Sequence, residues 1–195
     1  MAYETIISGT APAITVATMV EGVVVQTATS TGVSFPAAVT GAGIYPSGVR
    51  QIVSVPVTGV FTGTALMLAN DTIPFNTAGT QFMAATITPQ SATSSLLITA
   101  TVGLYYLSAV GTVVSALFRD SASAAIAASG QGLGASLGLS QVIRVIVASG
   151  STTATTFKLR MGPAAASTLT FNGFGGGRYF GGVCASSITI TEFGT

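Results

Sequence analysis

Along several separate stretches of this chain, apolar residues alternate one for one with hydroxyl-bearing or charged ones. A period of two sends successive side chains to opposite faces of a strand, so the pattern commits these stretches to β-sheet with one face buried. The stretch 155–161 is the clearest: Phe157, Leu159 and Met161 take one face, and Lys158 and Arg160 the other. In 96–102, Leu96, Ile98, Ala100 and Val102 oppose Leu97, Thr99 and Thr101. In 141–149, Ile143, Val145 and Val147 oppose Val142, Arg144 and Ile146. Ile188 and Ile190 oppose Thr189 and Thr191 near the end of the sequence. The stretch 50–60 alternates too, and Pro56 inside it marks an edge strand, since proline has no N–H to donate to a neighbour.

Clusters of Ser, Gly and Ala at 121–129, 149–153 and 162–167 separate these runs and read as turns. Residues 122–129 fit a short helix about as well as a solvated strand. The uncharged stretch 96–118 is long enough to span a bilayer. Its Thr, Val and Ser content and the interruptions at Gly103 and Gly111 instead favour strand–turn–strand. The first ten residues lack a basic segment followed by an apolar one, so no signal peptide is expected. Further along, 13–20 and 22–29 are β-branched runs around Glu21. The stretch 30–48 holds Pro36 and Pro46 and reads as a loop or extended arm. Together these features predict an all-β chain: an antiparallel jelly-roll-like β-sandwich over 50–195 with an extended N-terminal arm over 1–49.

Charge narrows the function. The chain of 195 residues has six basic and five acidic side chains, 6% of the total, where an ordinary soluble domain has about 25%. A folded monomer of this mass exposes roughly 8,500 Å². At about 100 Å² each, the charged groups cover on the order of an eighth of that surface. Such a surface is expected to be covered in an assembly. A net charge of +1 argues against nucleic acid as a partner. No membrane partner is expected either.

Few residues suit catalysis or ligation. There is no histidine to activate Cys184, which reads as a small buried hydrophobe. Asp71 and Asp120 are the only pair to weigh as a glycosidase-like couple, and nothing in the sequence brings them together. Asp71, in 70–74, reads as a turn residue, and Asp120 as a strand-end partner of Arg119. The stretch 130–134 (GQGLG) lacks the Lys-Ser/Thr of a phosphate loop. The acidic residues are too sparse for a metal site, so neither metal nor cofactor is expected. The stretch 171–182 gathers Phe171, Phe174, Arg178, Tyr179 and Phe180 among glycines. Three readings stay open for it: a hairpin whose rings fill the end of the core, a subunit contact, or a ligand site.

Several blocks of sequence resemble a pattern found in tailed-bacteriophage virion proteins. They are 71–74 (DTIP), 80–83 (TQFM), 87–98 (ITPQSATSSLLI), 116–121 (ALFRDS), 155–160 (TTFKLR), 168–173 (TLTFNG), 177–182 (GRYFGG) and 186–192 (SSITITE). The resemblance implies a homotrimeric jelly-roll domain on a phage particle, with no catalytic residue to carry over. Such domains sit at the ends of longer fibre chains, whereas this chain shows no shaft repeat and its first 49 residues match nothing in the pattern. The combination fits a non-enzymatic capsid decoration (cement) protein of the virion, assembled in the host cytoplasm. Phe171, Phe174, Arg178, Tyr179 and Phe180 are then the expected subunit interface. Ile14, Val16, Val20, Val23 and Val25 are the expected contacts to the major capsid protein or other virion proteins. The alternative is a short tail fibre, head fibre or receptor-binding tip whose loops bind a host-surface glycan or protein. A carbohydrate-active enzyme using Asp71 or Asp120 is the third reading.

Overall fold

In a computed structural model the chain divides into two compact units, Met1–Tyr45 and Pro46–Thr195. The residues described are 3–8, 15–20, 23–29, 32–34, 48–134 and 137–194. The division falls a few residues before the expected boundary at 49/50.

The first unit is built of four paired strands. Its strands β1 (Tyr3–Ser8), β2 (Thr15–Val20), β3 (Val23–Thr29) and β4 (Gly32–Ser34) form one antiparallel sheet in the order β1-β2-β3-β4. The β-branched runs pair with one another, which satisfies their backbone N–H and C=O groups locally.

The second unit is an antiparallel jelly-roll-like sandwich. Its strands in chain order are β5 (Val49–Val57), β6 (Phe61–Gly63), β7 (Thr80–Ile87), β8 (Ser95–Leu107), β9 (Gly111–Arg119), β10 (Ala127–Leu133), β11 (Gly138–Ala148), β12 (Thr155–Pro163), β13 (Leu169–Phe171), β14 (Gly173–Phe174), β15 (Gly177–Arg178) and β16 (Ser186–Phe193). The smaller sheet runs β10-β9-β12-β7. In the larger sheet β8 is the backbone. One edge of β8 pairs with β16 and, further on, with β13, while the other edge pairs with β11. β5 lies beyond β16 and β6 beyond β13. Proline 56 therefore sits on an edge strand, as its missing donor requires. β8 and β9 split the uncharged stretch 96–118 into two strands.

The two sheets close on one core. Leu96, Ile98, Ala100 and Val102 of β8, Ile188 and Ile190 of β16, and Phe157, Leu159 and Met161 of β12 are all buried. Gly103 lies where the edge of β8 passes from β16 to β13. Its N–H bonds to the Ser186 hydroxyl at 3.0 Å, and a Cβ there would strike the Ala185 carbonyl.

A buried carboxylate pins one end of the sandwich. In β16 the inward parity runs Ser186, Ile188, Ile190, Glu192, so Glu192 enters the interior with no exposed surface. It accepts hydrogen bonds from the Ser94 hydroxyl and the Gln51 amide, each at 2.5 Å, and from the backbone N–H groups of Gln90 and Ser91. Burial raises its pKa, but these bonds outweigh burial, and the carboxyl is held below its ordinary range. The loop 88–94 is thereby tied to β5 and β16.

Candidate interaction surface

The outward parity of the larger sheet builds one continuous face. Strand register places its residues in ranks that cross four strands. Ile52, Thr191, Leu97 and Ile146 form one rank, Ser54, Thr189, Thr99 and Arg144 the next, and Pro56, Ser187, Thr101 and Val142 the third. Arg144 is the single charged side chain in these ranks. Ile52, Val142 and Ile146 are 61%, 55% and 65% exposed. The Ser54 and Thr189 hydroxyls bond to each other at 2.8 Å, so part of the polar capacity is already used across strands.

Beyond Gly103 the same side of the sheet is covered by the segment 173–182. The sequence explains how. Leu169 and Phe171 of β13 point inward by strand parity, and Phe171 stacks on Phe82 with centroids 4.8 Å apart. Asn172 then takes a left-handed φ of 56°, which asparagine tolerates better than most side chains. It is buried, donates to the carbonyls of Val57 (2.6 Å) and Gly59 (3.2 Å), and accepts from the Ser186 hydroxyl (2.5 Å). This hub fixes the start of the loop against β5, β8 and β16. Gly176 N–H bonds to the Thr170 hydroxyl and folds the loop back over β13.

The loop carries a chain of rings. Tyr106 of β8 contacts Phe174 (centroids 4.1 Å), Phe174 contacts Tyr179 (5.7 Å), and Tyr179 contacts Phe180 edge-on (4.5 Å). Tyr179 is 46% and Phe180 63% exposed, and Phe180 holds a left-handed φ of 48°. Such a backbone costs a phenylalanine about 1–2 kcal/mol. Arg178 is exposed, and its stem folds over Gly182, where a Cβ would meet Cδ at 2.8 Å.

The expected interface residues therefore separate. Phe174, Arg178, Tyr179 and Phe180 come together on the surface. Phe171 does not join them: inward parity places it in the core of its own subunit, which corrects its assignment as a contact. Val16, Val20, Val23 and Val25 lie on β2 and β3, while Ile14 lies outside the described residues. The stretch 130–134 is largely strand β10 rather than a loop. Asp120 accepts from Thr156 N–H at 2.7 Å and lies 3.8 Å from Arg119 Nε, so it holds a strand end. Asp71 is exposed in a bend. Cys184 is buried, which pushes its thiol pKa up and away from thiolate. What the sequence reading missed is the ranked face as one surface. The parity of each strand was visible, but the register that aligns them was not.

The family model described as Pgp3 C-terminal domain matches residues 57–194. This chain belongs to that family. The match covers the sandwich almost entirely, and every sequence block from Asp71 to Glu192 noted above falls within it. No curated protein matches the sequence. Among solved structures, the Pgp3 C-terminal domain-family chain is similar to infectious bursal disease virus Gx strain at 13% identity, with a TM-score of 0.36. That match spans 89% of this chain and 48% of the other. The infectious bursal disease virus VP2 subviral particle is similar at 8% identity, with a TM-score of 0.33, over 93% of this chain and 50% of that one. The chain thus spans about half the length of the solved chains it matches.

Proposed function

We propose that this chain is a non-enzymatic virion structural protein of tailed-bacteriophage type, a capsid decoration protein that acts as a homotrimer on the outside of the head. The observation that carries this reading is the ranked outer face of the larger sheet, in which Arg144 is the single charged side chain. Neighbouring strands lie about 4.8 Å apart and same-face residues about 6.8 Å apart, so the three ranks cover roughly 400 Å². A standard interface needs about 800 Å² per partner. The ring chain of Tyr106, Phe174, Tyr179 and Phe180 extends the same side of β8 and supplies further apolar area. Copies of the chain would bury both regions together. The four-stranded first unit, with Val16, Val20, Val23 and Val25 on its strands, would attach to the major capsid protein. Many weak contacts repeated over a shell would then resist internal pressure.

The exposed rings of Tyr179 and Phe180 favour the second reading, a fibre or receptor-binding tip that meets a host-surface glycan or protein. One experiment separates the two. Sedimentation equilibrium of the full chain should give a trimer, and Val142→Asp with Ile146→Asp should give a folded monomer. The trimer should co-sediment with expanded phage heads, and removal of residues 1–48 should abolish that binding without dissociating it. A full chain that ignores heads but blocks adsorption of phage to host cells would overturn the decoration reading.

A further inference from the structure

The alternation of β8 breaks after Val102. Leu96, Ile98, Ala100 and Val102 point inward, and so do Tyr105 and Leu107. Register against β11 shows why. Val102 pairs with Gln141 and Tyr105 with Leu139, so Gly103 and Leu104 together lie opposite Ser140 alone. This is a β-bulge, and its extra residue reverses the parity of the strand beyond it. Without it Tyr105 would face outward and Tyr106 inward. With it Tyr106 reaches the ring chain outside, and Tyr105 enters the core with no exposed surface.

The bulge thus carries a phenolic hydroxyl into an apolar interior. Tyr105 is flanked by Leu139 of β11 and Phe171 of β13. Gln141 points inward on the same face as Ile143, and Tyr105 is its diagonal neighbour across the β8–β11 pair. Diagonal neighbours are within reach of one another when both side chains are long. From the opposite sheet, the buried Ser115 of β9 donates its hydroxyl proton to Gln141 Oε1 at 2.7 Å. That bond leaves the amide nitrogen over. Among the described residues, Tyr105 Oη and Gln141 Nε2 are the buried side-chain polar atoms with no hydrogen-bond partner. Burial pushes the Tyr105 pKa up to about 12, so the phenol keeps its proton.

We infer that Tyr105 Oη, Gln141 Nε2 and Ser115 Oγ hold one internal water molecule between the two sheets. The chemistry of the three groups chooses this occupant. The amide nitrogen can only donate, the serine oxygen still has a lone pair to accept with, and the phenol can do either. A molecule that both accepts and donates satisfies all three, and internal waters typically make about three hydrogen bonds. None of the three groups is charged, so an ion would sit there without a counter-charge. An unpaired polar atom in a core lowers the folding equilibrium by roughly tenfold, and one shared water removes that cost for both atoms. The bulge that presents Tyr106 to the outer rings is therefore matched inside by bound solvent. The proposal does not depend on the trimer reading, which concerns the outer face.

The test uses the full chain with nitrogen-15 in its glutamine side chains. Water-to-protein cross-relaxation at the Gln141 Nε2 protons should have the sign of a tightly held molecule, and Tyr105→Phe should weaken that signal about fivefold or more. The same substitution should lower the folding equilibrium constant about five- to tenfold, read from the denaturant midpoint. In a Gln141→Met background the water has already lost a partner, and Tyr105→Phe should then change the constant by less than about twofold. If Gln141→Met does not fold, the cross-relaxation of wild type and Tyr105→Phe decides alone. A Gln141 amide that sees no held water overturns the proposal, including the case in which the phenol bonds the amide directly. So does a Tyr105→Phe protein at least as stable as the wild type, which would mean that the hydroxyl has no partner. An undiminished loss in the Gln141→Met background overturns it too, because the two atoms would then share no molecule.

Discussion

The two sheets of the sandwich treat their outer faces in opposite ways. On the smaller sheet, the outward residues Val114, Ala116 and Phe118 of β9 are apolar, and the connection between β6 and β7 folds over them through Met67 and Ala78. Arg160 secures that cover by donating to the carbonyls of Ala78 (2.7 Å) and Gly79 (2.6 Å). On the larger sheet, the outward ranks mix threonine and serine with aliphatics in near-equal measure, and Ile52, Val142 and Ile146 among them are exposed. A truly apolar face is closed by the chain itself. A face of hydroxyls and methyls is tolerable in water and is left available. The shortage of charge thus has two outlets in one domain: internal cover on one side and an open, mildly apolar plane on the other.

That contrast can be broken most directly under the cover. Phe118→Ala removes a fully buried ring from the smaller cluster and should cost about 3–5 kcal/mol, read as a lower denaturant midpoint. If the cost falls under 1 kcal/mol, the loop is not a true second core. Next comes Glu192→Gln, which places an amide where several donors converge. It should cost about 3 kcal/mol at neutral pH. The folded carboxyl has a lowered pKa, so its contribution is present above the ordinary carboxylate range and fades as pH falls through the folded value. The gap between wild type and variant should therefore close in acid, and a gap that persists there would contradict the hydrogen-bonded carboxylate. Phe180→Gly relieves a left-handed backbone and should raise stability by about 1 kcal/mol while weakening self-association. Thermal unfolding and sedimentation separate the two effects. The smallest change is expected on the open plane, where Thr189→Val should alter stability by no more than about 0.5 kcal/mol.

Much of this architecture is legible in residue parity. The inward sets of β8, β11, β12 and β16 can be read from alternation alone, because a half-buried strand leaves a strict period of two. The same parity carried one step further along 186–192 points Glu192 inward, yet a carboxylate in an apolar series reads as solvent-facing unless its donors are known. Those donors come from residues 51, 90, 91 and 94, a separation no local pattern records. Phe171 was grouped with its aromatic neighbours by proximity in sequence, while the left-handed turn at Asn172 divides core from surface within one residue. The glycines of 130–132 mark no turn, because on an edge strand glycine need only extend.

The position of β16 has a kinetic consequence. It is threaded between β5 and β8, and its partners lie about ninety to one hundred and forty positions upstream, as in Thr191↔Leu97 and Thr191↔Ile52. Closing loops of that length is slow, so assembly should lag well behind that of a helical domain of equal size. A nascent chain halted before Ser186 would leave β5 stranded and one flank of β8 bare. Such a product should be cut by proteases faster than the finished sandwich, so this strand is the one whose arrival closes the fold.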